Sequence, residues 1–464
     1  MDTNYNLKDK ILSVFNKEKT LLNQTIFQQG LRDKAISHFD TLGFPTIKME
    51  EWRFTNLAEF LKTDYSLIME NRDAHVDVEK FFRCEVRDLD TYTAVLLNGW
   101  FMYKNSPLTT LPNGTIIGSL SHALVQFPEL VKKHFASYAD TENDAFNALN
   151  TAFAQDGIFI YVPDHVQVDK PIQIINILNT QESVLVQPRN LVIAGKGSKL
   201  TLVHCDDIFS NVPTFTNSLT EIFVDEDASV DHYKMQNNNN HSAMIATTYF
   251  HQESNSTVST NTITLNGGLI RNNLNIAING EGCESNLYGI YLVDKNQLVD
   301  NHTFVDHIKP GCTSRELFKG VVDNKAKAVF SGKILVRKDA QKTNAFQTNR
   351  NILLTDDATI NTKPHLEIYA DDVKCSHGAT VGQLDPESMF YMRSRGISEE
   401  SARMLLMYAF ADEVITKISI DALREKICQM VNKRLKGELS ICDQCVLHCM
   451  NEEPIVFNID LSKI

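Results

Sequence analysis

The chain has 464 residues and a formal net charge of −13, with 43% hydrophobic and 22% charged residues. This length can bury a large core without covalent staples, and it leaves room for about three domains or one elongated core with appendages. The acidic balance disfavours a nucleic-acid partner, which would need a basic face.

In chain order, residues 1–90 read as a helical N-terminal domain. Leu7, Ile11, Val14 and Phe15 recur at helical spacing, and Leu21, Ile26 and Phe27 do so less cleanly. Pro45 and the aromatic segment Trp52–Phe54 interrupt the pattern, with Trp52 read as a packing anchor between helices. The first ten residues, MDTNYNLKDK, carry no apolar h-region, so no signal peptide is expected. The nine cysteines are odd in number and mostly scattered. They suggest free thiols or metal ligands in a reducing, cytoplasmic compartment rather than a disulfide framework.

Residues 91–395 change character. Short β-branched or alternating runs follow one another: 94–97, 158–162, 172–177, 198–204, 219–224, 257–265 and 287–293, each ending in a polar turn. Leu200, Val230, Val258, Leu287 and Leu317 each follow a small or polar residue, at gaps of 30, 28, 29 and 30 residues, and Val329 to Ile360 adds 31. A period in this range signals a solenoid or a blade architecture. Strands without crossover helices favour a β-helix, with a β-sandwich as the alternative. The last coil of a β-helix exposes unpaired strand groups, so a helix or a partner must cover them.

Residues 396–464 return to helix and end in a cysteine-containing tail. Ser398 is placed as an N-cap, with Glu399 and Glu400 in the first turn. Met404, Tyr408, Ala411, Ile415 and Ile418 form an apolar stripe that either packs on the protein's own core or docks a partner. Arg403, Phe410 and Glu413 are further candidates for that docking face. The run Met404–Ala411 is too short to cross a bilayer, so no membrane association is expected.

The densest chemistry lies in LEIYADDVKCSHGATVG, residues 366–382. Cys375 and His377 stand two apart in a strand-like run, so both side chains leave the same face. A soft sulfur beside an imidazole suits iron, zinc or copper, or a thiolate nucleophile beside its base; the alternative is a buried cysteine next to a satisfied histidine. Cys312 follows His307 by five residues and is a weaker metal candidate. Cys442, Cys445 and Cys449 carry half of a zinc-type spacing, with His448 badly placed as a fourth ligand. They read as accessory metal or thiol ligands, or as incidental residues of a helical tail.

Several ordered segments resemble the SufB/SufD family of iron–sulfur cluster assembly proteins. The segment NRNILLTDDATINTKPHLEIYADDVKCSHGATVG, with the MFYMRSRGIS and MLLMYAFADEV that follow, resembles the family's C-terminal third. Residues 309–336 and 147–163 resemble its late strands and the entry to its core. LGFPTIKMEEWRFTNL (42–57) and KCSHGAT are similar to the D-type subunit rather than to the B-type scaffold. The resemblance implies a mainly β protein, with a parallel β-helix core flanked by N- and C-terminal α-helical domains. It implies a non-catalytic subunit that pairs with a SufB-type scaffold and is gripped at its C-terminal helices by a SufC-type ATPase. It also implies that His377, with Cys375, holds iron or a transient iron–sulfur cluster at the subunit interface. The tail with Cys442 departs from the D-type pattern.

No P-loop, strand-to-helix G-x-G-x-x-G, H-E-x-x-H or G-x-S-x-G occurs, so no nucleotide is expected on this chain. Flavin binding and a homodimer are left open by the residues. Two rival readings remain: a self-sufficient B-type scaffold, and a β-helix enzyme acting on polysaccharides through Asp356-Asp357 or Asp371-Asp372. In a strand, adjacent carboxylates point to opposite faces and make no working pair.

Overall fold

The computed structural model describes residues 6–22, 26–70, 89–103 and 105–436. Its centre is a parallel β-solenoid. Successive strands alternate between two sheets, of 12 and 10 strands, so each coil contributes one strand to each. The coil length is read from the register Leu200–Val230–Val258–Ser285–Ser314–Ala345–Cys375, with steps of 30, 28, 27, 29, 31 and 30 residues. The expected period is therefore present. The marker residues drift, however: Leu287 pairs with Thr260 and Glu316, not with Val258 and Leu317.

What turns the chain is a stack of corners. His165, Gly197, Asp227, Asn255, Gly282, Gly311 and Lys342 all have φ between 58° and 74°, one per coil. Glycine and short polar residues reach this left-handed region most cheaply. Each corner N–H points along the stack. Gly197 donates to Glu226 O, Asp227 to Ser254 O, Asn255 to Glu281 O, Gly282 to Pro310 O, Gly311 to Gln341 O and Lys342 to Asp372 O. The corner thus bends the chain and fixes its register on the next coil.

Apolar residues from both sheets fill the solenoid interior, among them Ile174, Leu202, Val230, Phe250, Ile276, Phe318 and Phe330. The outer face of the 12-stranded sheet is covered by N-terminal elements. There the helix Leu7–Leu22 buries Leu7, Ile11 and Phe15, as its spacing predicts. Trp52 packs on Phe146 and lies under the Arg271 guanidinium, 3.9 Å from the ring centroid. It anchors the N-terminal segment to the solenoid as well as to a helix. The helices Leu120–Gln126, Pro128–His134 and Ala145–Phe153 interrupt the β region and were not expected from the sequence. Every residue from Phe146 to Phe153 is buried, so the last of these shows no apolar stripe.

The C-terminal helices Glu399–Ile415 and Asp421–Leu435 cover the outer face of the 10-stranded sheet. Ser398 caps the first, its hydroxyl accepting from Ser401 N–H. No helix among the described residues is long and apolar enough to cross a membrane.

The corner stack is open to test at Gly311. A Cβ there would meet only the Gly282 nitrogen, at an ordinary contact distance of 3.9 Å, so the backbone conformation is what resists substitution. Gly311→Val should destabilise by about 1–2 kcal/mol, and Gly311→Asn by distinctly less. Urea denaturation of the two variants checks this; equal losses would contradict a conformational origin.

Candidate metal centre

The two ends of the solenoid differ. The first coils are closed off by short antiparallel strands, Trp100–Met102 in one sheet and Leu108–Thr110 in the other. Short edge strands are a common way to blunt a sheet end. The last coil is not closed in this way. Among the described residues, Thr359–Ile368 and Lys374–Gly382 are full-length strands, each paired on one side only. Most residues of the final strand are exposed. Exposed apolar side chains cluster in sequence around this coil: Phe346, Ile368, Tyr369 and Val381, then Phe390 and Tyr391 on the helix Pro386–Ser394.

Cys375 and His377 lie on that final strand, in register with Ala345 and Gln347 of the previous coil. Cys375 is half-buried and packs on the interior cluster. Burial pushes its thiol up, against the Ala345 amide hydrogen bond that favours the thiolate. Because residues i and i+2 share a face, His377 leaves the strand on the same interior side. No further coil among the described residues covers it, and it is exposed. Among the described residues, no group of three or more His, Cys, Asp or Glu side chains converges in metal-binding geometry. Cys375 and His377 thus present a thiol and an imidazole on the same face of a sheet-edge strand.

Cys312 is elsewhere. It is fully buried at a coil corner, against Cys283, and the coil-to-coil stack beneath it leads to Thr343 rather than to Cys375. Cys442, Cys445 and Cys449 lie outside the described residues.

Of the docking-face residues, several are committed within the chain. Arg403 donates to Leu354 O, Lys319 donates to Phe410 O while its ammonium lies 4.4 Å from that ring, and Glu413 pairs with Lys319 and Arg350. Tyr408 packs at the margin of the helix–sheet cluster, and Met404 is half-buried. Of the expected stripe, Ala411, Ile415 and Ile418 are fully buried, whereas Met404 and Tyr408 lie at its margin and Ala402, Met407 and Val414 complete the buried face.

Comparison with known proteins bears on the same chain. Residues 176–410 match the family model for the SUF system FeS cluster assembly, SufBD core domain, and residues 5–174 match the SufBD protein N-terminal region. The chain belongs to the SufBD family. An iron–sulfur cluster assembly SufBD family protein of Synechocystis is 32% identical over 92% of this chain and 94% of its own. The iron–sulfur cluster assembly protein SufD of Escherichia coli is 29% identical, over 85% and 90%. A chloroplastic protein of Arabidopsis thaliana is 29% identical, over 86% and 84%.

In this SufBD chain the solenoid interior behind His377 is polar, which sequence reading missed. His377 pairs with Gln347, and Gln347 with Glu316, one coil further in. Glu316 Oε2 accepts from Thr303 Oγ1 at 2.8 Å and from Gln347 Nε2 at 3.1 Å. The other oxygens of Glu316 and Gln347 are buried without a hydrogen-bond partner. Stepping back from His377 by the coil period would have found both residues.

Burial raises the Glu316 carboxyl to about 7. The folded form then holds a proton that the unfolded chain releases near its ordinary value of 4.5. Stability from this group is therefore full in acid, falls as pH climbs from about 4.5 to about 7, and levels off above. Glu316→Gln removes the titration. Its stability relative to the unsubstituted protein should rise by roughly 3 kcal/mol between pH 5 and pH 8, read from urea midpoints. Parallel pH profiles would show that the carboxyl is not held neutral.

Proposed function

We propose that this chain is a D-type, non-catalytic subunit of an iron–sulfur cluster assembly complex. Its open solenoid end pairs with a SufB-type scaffold, and its C-terminal helical region engages a SufC-type ATPase. His377, with Cys375, supplies ligands for iron or a nascent cluster at the shared edge. The observation that carries this reading is the position of Cys375 and His377 on a full-length edge strand that, among the described residues, has a partner on one side only. A second chain adding a strand there would satisfy the free backbone groups and bring the missing ligands to the same place. The imidazole and thiol are suitable donors for iron, and histidine ligation of clusters is established chemistry.

The rival readings have less support. A self-sufficient scaffold needs several ligand thiols to converge. Cys205, Cys283, Cys312, Cys375 and Cys428 are instead spread over the solenoid corner, its outer face, its open end and a helix. For a polysaccharide enzyme, Asp356-Asp357 and Asp371-Asp372 fall in turns at opposite ends of the ten-residue strand Thr359–Ile368. They are therefore about 30 Å apart, far beyond the 5–10 Å of a working carboxylate pair.

The test is co-expression with a SufB-type scaffold and a SufC-type ATPase, followed by anaerobic affinity purification. A stoichiometric complex should form. His377→Ala should leave its composition unchanged and lower iron–sulfur absorption per complex by roughly tenfold or more. Undiminished absorption would remove His377 from the site, and a chain that purifies alone would remove the partner assignment.

A further inference from the structure

Cys283 and Cys312 form a buried pair to which the candidate cluster site assigns no role. Each directly follows a left-handed corner glycine, Gly282 or Gly311, on successive coils. The Thr313 amide donates to Cys283 O at 2.9 Å, so the two residues stack in register. Both thiols are within hydrogen-bonding distance of the same carbonyl, Gly280 O, each at 3.3 Å. Ser256 Oγ, one coil earlier in the same stack, reaches Cys283 Sγ at 3.7 Å. Neither cysteine is more than 1% exposed, yet the corner residues above them, Glu281, Gly282 and Gly311, are open to solvent.

We infer that Cys283 and Cys312 are a redox-active dithiol that closes to a disulfide joining two successive coils. Strands in register stand about 4.8 Å apart, inside the roughly 4.4–6.8 Å between α-carbons that a disulfide spans. The pair is asymmetric, as stepwise oxidation requires. Hydrogen bonding from Cys312 outweighs burial and lowers Cys283 to about 7, and the same contact raises Cys312. Cys283 is the attacking thiolate. With a peroxide as oxidant, its sulfur displaces one oxygen as water and becomes a sulfenic acid. The Cys312 sulfur then attacks that sulfenic sulfur, the S–S bond forms, and the second oxygen leaves as water. Two thiols and one hydrogen peroxide give one disulfide and two waters.

The experiment is peptide mapping of the full chain. Reduced protein is exposed to hydrogen peroxide, unfolded with N-ethylmaleimide present to block remaining thiols, digested and analysed by mass spectrometry. The expected product is a cross-linked peptide pair containing Cys283 and Cys312, which dithiothreitol reverses. The treated protein should also have a higher urea midpoint without reductant than with it. Cys312→Ala should abolish the cross-link and leave Cys283 as a sulfenic acid that dimedone traps. Half-exposed Cys375 is the internal control for oxidant activity. If Cys375 is oxidised while Cys283 and Cys312 are both recovered alkylated, or if either is found linked to another cysteine, the inference is overturned.

Discussion

One left-handed residue per coil, with its amide handed to the next coil, is the constraint on which the architecture depends. A parallel strand pair needs a long connection, and most proteins supply a helix. Here the connection is the other sheet, so the chain must turn sharply at every corner without losing register. The stack from His165 to Lys342 does both. A slip of one residue at any corner would exchange the inner and outer faces of every strand beyond it. The column Glu316–Gln347–His377 and the pair Cys283–Cys312 exist because no such slip occurs.

The same register lets both the covered outer face of the 12-stranded sheet and the solenoid interior accommodate groups that a globular core would reject. Arg189 and Glu221 are both fully buried, 2.6 Å apart. Glu221 also accepts from the amides of Ala136, Tyr138 and Ala139, and Arg189 donates to Asn150 and Thr151. Such a pair is tolerable only when the remaining hydrogen-bond positions are filled, as they largely are here. It fastens the helices between residues 120 and 153 onto the sheet. Burial alone would raise Asp206, but Lys234, His204 and Asn176 more than offset this and hold it below the usual carboxylate range. These groups come from three neighbouring strands, so each polar side chain meets its partners one coil away. Stacking makes interior polarity affordable because partners recur at a fixed offset.

This geometry also explains how much could be read from the chain alone. The strand Ile158–Val162 was legible to the residue because it is a short apolar run bounded by turns. Thr214–Val224 was seen only from Leu219 onward. Its first half, with Thr214, Thr216, Asn217 and Ser218, is just as buried, and polar residues facing inward erase the alternation that marks a strand. The helix Ala145–Phe153 vanished for the converse reason, being covered on all sides. That Met407 rather than Met404 completes the buried face of the C-terminal helix has a similar cause. That helix carries apolar residues on more than one face, and only the sheet beneath it selects between them. Cys375 and His377 were legible because two residues apart in a strand fixes a common face. Glu316 and Gln347 were not, because their proximity depends on a 30-residue offset that varies by one or two from coil to coil.

The two sulfur-bearing places therefore follow from one rule applied at different positions. At an interior corner, a residue always has a neighbour from the next coil above it, so Cys283 meets Cys312 and the pair is complete within the chain. On the final strand no next coil follows among the described residues, so there Cys375 and His377 have stacking neighbours on one side only. What a further coil would have supplied, both backbone partners and side-chain ligands, is what the proposed function assigns to a second chain. A solenoid that stops on a full-length strand leaves its last column with stacking neighbours on one side, and that is the physical reason an added strand would fit there.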